Sequence, residues 1–213
     1  MTPVLYLHGF ASGPSSSKAA FFRRGLASAG IHVTVPDLAE GDFEHLTLSR
    51  QLGVIGRVAP AGAVSLVGSS MGGYLAALYA ARHPEVERVV LLAPAFGFGR
   101  RWPERLGALE MERWRTSDAL EVYHYGLGRN TRLAYDLMAD ATQYEDEPDL
   151  RQPALIFHGS RDDVVPVRYS EQFAAGHPNA ALDVVDSGHD LLNVLDYMLP
   201  KAAAFLTAGS SGG

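Results

Sequence analysis

Four short stretches of this chain carry residues that together could let a serine hydroxyl attack a carbonyl. The first is Gly68-Ser69-Ser70-Met71-Gly72-Gly73, set between the apolar run Ala63-Val64-Ser65-Leu66-Val67 and the helix-like Tyr74-Leu75-Ala76-Ala77-Leu78-Tyr79-Ala80-Ala81. A serine hydroxyl is a weak nucleophile until a base takes its proton, and a sharp strand-to-helix turn lifts it clear of a sheet where a base can reach it. The pattern G-x-S-x-G around Ser70 has that form. Gly68 and Gly72 stand where two backbones pass close together, and Met71 would matter for its amide. The second stretch is the apolar Leu155-Ile156-Phe157 followed by His158-Gly159-Ser160-Arg161-Asp162-Asp163, a polar loop with two adjacent carboxylates. The third is Asp186-Ser187-Gly188-His189-Asp190, which follows the apolar run Ala181-Leu182-Asp183-Val184-Val185. His189 could take the proton from Ser70 while a carboxylate fixes its tautomer and stabilises the imidazolium. On the residues alone, Asp162 and Asp163 compete for that part. The fourth is Val4-Leu5-Tyr6-Leu7 running into His8-Gly9-Phe10-Ala11-Ser12-Gly13-Pro14.

These stretches need a scaffold that brings strand ends together. Strand-like runs occur at 4–8, 31–35, 63–67, 88–93, 154–158 and 181–185, and helix patterns at 17–29, 46–58, 71–82, 167–175 and 191–206. Such alternation predicts an α/β fold with a parallel sheet covered by helices on both faces, and ligands then bind at the carboxyl ends of the strands. Gly30 is placed to cap the first helix. One connection breaks the pattern. The stretch 96–152 is far longer than the roughly 2–6 residues plus one helix of an ordinary link. It is rich in aromatics and holds both tryptophans, so it reads as a small helical cap whose apolar side forms a pocket, lined by Phe96, Trp102, Trp114 and Tyr125. The chain is expected to form one domain over 1–206, with the small polar stretch 207–213 as a flexible tail.

Composition narrows the function classes. With 213 residues and 47% apolar content the chain can bury a substantial core. The net charge is −6 and the basic residues are scattered, with Arg100-Arg101 a short solvated spot, so no nucleic-acid partner is expected. No apolar run approaches membrane-spanning length, and Pro3 to Leu7 is too short for the apolar part of a signal peptide, so neither a membrane span nor a leader is expected. The absence of cysteine excludes disulfides, thiolate metal sites and a cysteine nucleophile, and fits a reducing, cytoplasmic setting. No paired His/Cys spacing supports a metal site, so no metal is expected. The glycines at 72 and 73 are followed by tyrosine where a phosphate-binding loop needs lysine and serine or threonine.

The serine, aspartate and histidine stretches follow in the order typical of α/β-hydrolases, and His158 to Asp162 resembles that superfamily's H-G-x-x-D-x-x-V-P pattern. The motif Tyr6-Leu7-His8-Gly9-Phe10-Ala11-Ser12-Gly13-Pro14, then Ser16-Ser17-Lys18-Ala19, the Ser70 turn, and Ala93-Pro94-Ala95-Phe96 together resemble the YqiA-like small esterases. The resemblance implies an α/β-hydrolase fold with a minimal six-stranded, mostly parallel sheet lacking two amino-terminal strands of larger relatives. It implies Asp162 as the acid of a Ser70–His189–Asp162 triad, and the Phe10 and Met71 amides as donors to the oxyanion. No carboxylate follows the run Val89-Val90-Leu91-Leu92-Ala93-Pro94, the other common location for the acid. His8 and His158 then read as residues that hold their loops in shape, and His83 as a helix-end residue.

The activity so implied is hydrolysis of small-molecule acyl esters without metal or organic cofactor. Three alternatives stay open. An acyl thioesterase would use the same chemistry. A serine aminopeptidase would need acidic residues for the substrate amine, for which Glu104, Glu110, Glu112, Asp118 and Glu121 are candidates. A ligand-sensing hydrolase fold would bind in the same pocket with little turnover.

Overall fold

The computed structural model describes residues 1–117 and 119–208. The candidate acid Asp118 and the tail beyond Ala208 lie outside the described residues.

The first half of the chain alternates strand and helix: β1 (Val4–Leu7), α1 (Ser17–Ser28), β2 (Val33–Thr34), α2 (Leu48–Val58), β3 (Val64–Ser69), α3 (Met71–Arg82) and β4 (Val86–Leu92). After the long connection come β7 (Ala154–Gly159), α6 (Arg168–Gly176), β8 (Ala180–Val185) and α7 (Leu195–Thr207). Six strands form one sheet in the order β2-β1-β3-β4-β7-β8, every pairing parallel. Strand pleating sends alternate side chains to opposite faces. Leu5, Leu7 and Leu66 enter one core with residues of α2, α3 and α6, while Val4, Tyr6 and Val67 enter the other with α1 and α7. Both faces being covered explains why the strands read as continuous apolar runs.

Local capping sets the helix starts. Ser16 Oγ accepts from the Ala19 amide at 3.3 Å and Thr47 Oγ1 from the Arg50 amide at 3.1 Å, so α1 and α2 begin after them. Gly30 ends α1 with φ +77°, its amide donating to Ala27 O at 2.9 Å. The last helix runs through Thr207, whose hydroxyl donates to Ala203 O at 3.0 Å, so the first residue of the expected tail is helical. Among the described residues no helix is long and apolar enough to cross a membrane.

The connection between β4 and β7 holds α4 (Phe98–Ser117), the strands β5 (Leu120–His124) and β6 (Arg129–Leu133), and α5 (Asp136–Ala141). Helix α4 breaks at Gly107, whose φ of 78° and ψ of 160° are not helical. Between its helical parts the insertion carries an antiparallel hairpin, β5–β6, that the sequence did not announce. The sequence of β5, Leu120-Glu121-Val122-Tyr123-His124, does alternate in the period of a half-buried strand. Trp114 locks the insertion together, its indole N–H donating to Leu133 O at 2.8 Å. The insertion is tied to the body by Ala134 N to Glu44 O at 2.7 Å and Tyr125 N to Ala11 O at 2.8 Å.

Candidate active site

The turn from β3 into α3 holds Ser70 at φ 55° and ψ −117°, a conformation that a residue with a side chain seldom adopts. Several bonds fix it there. The Ser70 amide donates to Leu92 O at 2.9 Å, and Ser70 O accepts from the amides of Gly73, Tyr74 and Ala95 at 2.9 to 3.1 Å. The glycines permit the approach. A Cβ on Gly68 would lie 2.2 Å from Gly72 O, and one on Gly72 only 2.1 Å from Leu7 O at the end of β1. The second distance adds to the sequence reading, because Gly72 is needed against β1 as well as beside β3. Gly72→Ala therefore forces backbone against backbone, where no side chain can give way. The expected outcome is a protein that does not reach the folded, soluble state, checked by circular dichroism of the purified fraction.

Three strand ends meet at this turn. His189, on the loop after β8, places Nε2 2.9 Å from Ser70 Oγ and Nδ1 2.7 Å from Asp162 Oδ2. An ionised carboxylate can only accept, so Nδ1 carries the proton and Nε2 presents its lone pair to the serine hydroxyl. Asp162, on the loop after β7, is buried, and its Oδ1 accepts from the amides of Val164 at 2.9 Å and Val165 at 2.8 Å. Burial is the largest single influence on its carboxyl and pushes it up. Hydrogen bonds from His158 and His189, the His189 charge and the Val165 amide together outweigh it and hold the carboxyl well below the usual carboxylate range. Asp163 is exposed.

Two further histidines flank the site, His158 near the end of β7 and His8 directly after β1. His158 is fully buried, its Nε2 2.7 Å from Val165 O and 3.1 Å from Asp162 Oδ2, so Nε2 carries the proton. Its Nδ1 is 2.7 Å from Ser170 Oγ. It thus braces the acid's loop from behind. His8 accepts from the Leu38 amide through Nε2 at 3.2 Å and lies 3.1 Å from Gly9 O through Nδ1, and burial lowers its pKa, which keeps it neutral.

Gly9 packs against the turn, since a Cβ built there would be 3.4 Å from both Ser69 O and Ser70 Cβ. Phe10 follows it, and Met71 is the first residue of α3. Among the described residues neither amide donates to a backbone carbonyl. Ser70 and His189 open into a cavity of about 1010 Å³ between the loop after β1 and the insertion.

Of the four side chains expected to line it, Trp102 and Tyr125 do. Phe96 and Trp114, expected there, do not. Phe96 is fully buried in the core, its ring stacked on that of Phe173 of α6 with centroids 4.2 Å apart. Trp114 is 1% exposed and packs inside the insertion, its indole committed to Leu133. Large apolar side chains go preferentially to the core, and nothing in their local sequence separates core from pocket. The lining that sequence reasoning missed comes from the hairpin residues Leu120, Val122 and Tyr123, from Arg105 and Leu106, and from Lys18 at the start of α1. The alternation within β5 was the available signal for the hairpin residues. Of the acidic candidates, Glu121 lines the cavity, while Glu110 and Glu112 are taken by Arg113 and Arg115.

Lys18 stands in the wall of the cavity with its ammonium partly withdrawn from water. Its Nζ donates to Ser69 Oγ at 3.0 Å, and among the described residues it has no ion-pair partner. Burial lowers its pKa to about 8, with Asp190 and Asp162 opposing in part. The cost of its charge is fully present below about 8 and disappears as pH rises past the value of an unfolded lysine, so wild-type stability should gain across that window. Lys18→Met should raise the melting temperature at pH 7 by a few degrees, an effect of roughly 1–3 kcal/mol, and the difference should vanish above about pH 10 in thermal melts.

Residues 3–207 match the model of UPF0227, an uncharacterised protein family. No curated protein matches the chain. Among solved structures, α/β hydrolase domain-containing protein 10 from mouse is similar over 96% of this chain and 89% of its own, with a TM-score of 0.79 and 19% identity. Est1E from Butyrivibrio proteoclasticus, also solved with ferulic acid bound, is similar over 99% of this chain and 89% of its own, with a TM-score of 0.78 and 20% identity. A monoacylglycerol lipase from Paleococcus ferrophilus is similar over 97% of this chain and 96% of its own, with a TM-score of 0.76 and 17% identity. At these identities the likeness is one of fold, and the fold is that of the α/β hydrolases.

Proposed function

This chain belongs to family UPF0227, and from that premise and the geometry around Ser70 we propose that it is a serine hydrolase that cleaves acyl esters through an acyl-enzyme intermediate. The observation that carries the reading is the continuous chain of hydrogen bonds from Asp162 through His189 to Ser70 Oγ, open at its serine end to a cavity. A serine in a strained turn with a correctly protonated imidazole beside it can attack a carbonyl carbon.

In the proposed reaction Ser70 Oγ bonds to the acyl carbon as its proton passes to His189 Nε2. Asp162, kept ionised, balances the imidazolium. The carbonyl oxygen becomes an anion and takes the Phe10 and Met71 amides as donors. The bond from carbon to the leaving oxygen then breaks, and His189 gives that oxygen the proton. Water attacks the acyl-serine with His189 again as base, which releases the acid and restores Ser70.

The test is a series of initial rates with wild type and Ser70→Ala on p-nitrophenyl esters and acyl-CoA thioesters from two to sixteen carbons, with one aminoacyl anilide. Ser70-dependent turnover that peaks on the esters is the expected result. A peak on long thioesters would move the assignment to thioesterase, and turnover of the anilide alone to an aminopeptidase. No Ser70-dependent turnover on any of them would favour a binding role.

A further inference from the structure

Withdrawing an ammonium from water without an ion-pair partner disfavours its charged form. Lys18 is part-buried, its Nζ makes no ion pair among the described residues, and it stands in the cavity wall next to the serine that precedes the nucleophile. A structural lysine would be expected to meet a carboxylate. Among the described residues, Asp190 and Asp162, whose charges reach it, make no ion pair with it, nor does Glu121 in the same wall: Asp190 Oδ1 accepts from the Leu192 amide at 3.2 Å, and Asp162 is bonded to His158 and His189. A second polar group beside it also lacks a partner. The Tyr6 hydroxyl belongs to a side chain only 1% exposed, lies close to Ser69, and makes no hydrogen bond of good geometry among the described residues. Tyr6, Lys18 and Ser69 all border the same cavity as Ser70 and His189. The ammonium has donor capacity beyond its bond to Ser69, and α1 begins one residue before Lys18, so the partial positive charge of the helix start adds to the field there.

We propose that Lys18, oriented by Ser69 and backed by Tyr6, binds a carboxylate of the substrate, so that the preferred substrates are esters carrying a carboxylate a short chain away from the scissile carbonyl. The inference rests on the hydrolase reading above and names the substrate class for that site. A substrate carboxylate supplies the direct ion pair that, among the described residues, the ammonium does not have, in a place where a charge-assisted hydrogen bond is strong. No bond changes at this subsite; it orients the ester so that its carbonyl faces Ser70. The carboxylate could lie on the acyl or on the alcohol side, and the substrates below distinguish the two.

Rates are compared for mono-4-nitrophenyl adipate against 4-nitrophenyl hexanoate, which place the charge on the acyl side, and for 4-acetoxybenzoate against 4-acetoxybenzamide, which place it on the alcohol side. The expected result is a wild-type preference for the anionic member of one pair. Lys18→Met should reduce that ratio of kcat/KM by roughly 10–100-fold, mostly through KM, and Lys18→Arg should restore part of it. A wild-type preference for the neutral member of both pairs, or an equal loss on both members of a pair, overturns the subsite while the hydrolase reading stands. If neither ester is turned over, that reading fails. Calorimetry with adipic acid monoamide and hexanamide on wild type and Lys18→Met then judges the subsite directly: selective binding of the monoamide that is lost in the variant supports it, and equal binding overturns it.

Discussion

Ser70→Ala should abolish turnover of every ester that wild type hydrolyses, with a loss in kcat of ~10⁶. The size follows from the order of the steps. Without Oγ no acyl-enzyme forms, His189 has no hydroxyl to deprotonate, and only the oxyanion donors and substrate binding remain to favour a direct attack by water. The variant should fold normally. Ser70 is held by its main chain, through bonds from its amide to Leu92 and from Gly73, Tyr74 and Ala95 to its carbonyl, and alanine keeps all of them. The readout is a single-turnover assay on a p-nitrophenyl ester beside a circular dichroism spectrum. A folded variant that retains more than a few per cent of wild-type activity would remove Ser70 from the mechanism.

The next largest effect is expected at Asp162. Asp162→Asn replaces an acceptor by a group that can donate to His189 Nδ1, which puts the imidazole proton on Nε2, where it blocks acceptance from Ser70. The expected loss is ~10⁴ in kcat. Asp163→Asn, one residue along the same loop but exposed, should stay near wild type. The pair is its own control, since both changes remove one negative charge from the same loop. Equal losses would mean that net charge, and not the tautomer of His189, sets the rate. Asp162 also braces its loop through the amides of Val164 and Val165, which the asparagine oxygen can still accept, so the folded state should survive.

Lys18 stands apart from both. It costs stability where it is, and residues of that kind are tolerated where function requires them. Its neighbours explain why composition or spacing could not reveal it. Lys18 is unremarkable at the start of an amphipathic helix, and it becomes a part-buried charge in the cavity wall only when β3 brings Ser69 to it.

The turn around Ser70, the loop of Asp162 and the loop of His189 are legible in the order of residues alone, and so is the alternation of strands and helices. The reason is that each depends on short-range sterics. A strand-to-helix turn this tight demands glycine at fixed offsets, a parallel strand covered on both faces demands an apolar run, and a helix start demands a capping side chain. Choosing Asp162 over Asp163 was different, because the residues alone left the pair open and only a family resemblance separated them. In the fold, Asp162 points inward to His158 and His189 while Asp163 faces solvent, a consequence of how the loop packs.

The insertion shows the opposite case. Its aromatic content announced a cap, yet Phe96 stacks in the core, Trp114 binds the insertion to itself, and the hairpin supplies much of the cavity wall. Whether an aromatic side chain meets protein or open space depends on which distant segment packs on it, and that is set by contacts across the whole fold. From its order of residues alone, then, this chain determined where its reactive groups stand and which elements carry them. The tertiary structure decided which groups face one another, which aromatics line the cavity, and that one lysine of its wall meets Ser69 and, among the described residues, no ion-pair partner, because each of these depends on neighbours that are close in space and far apart in sequence.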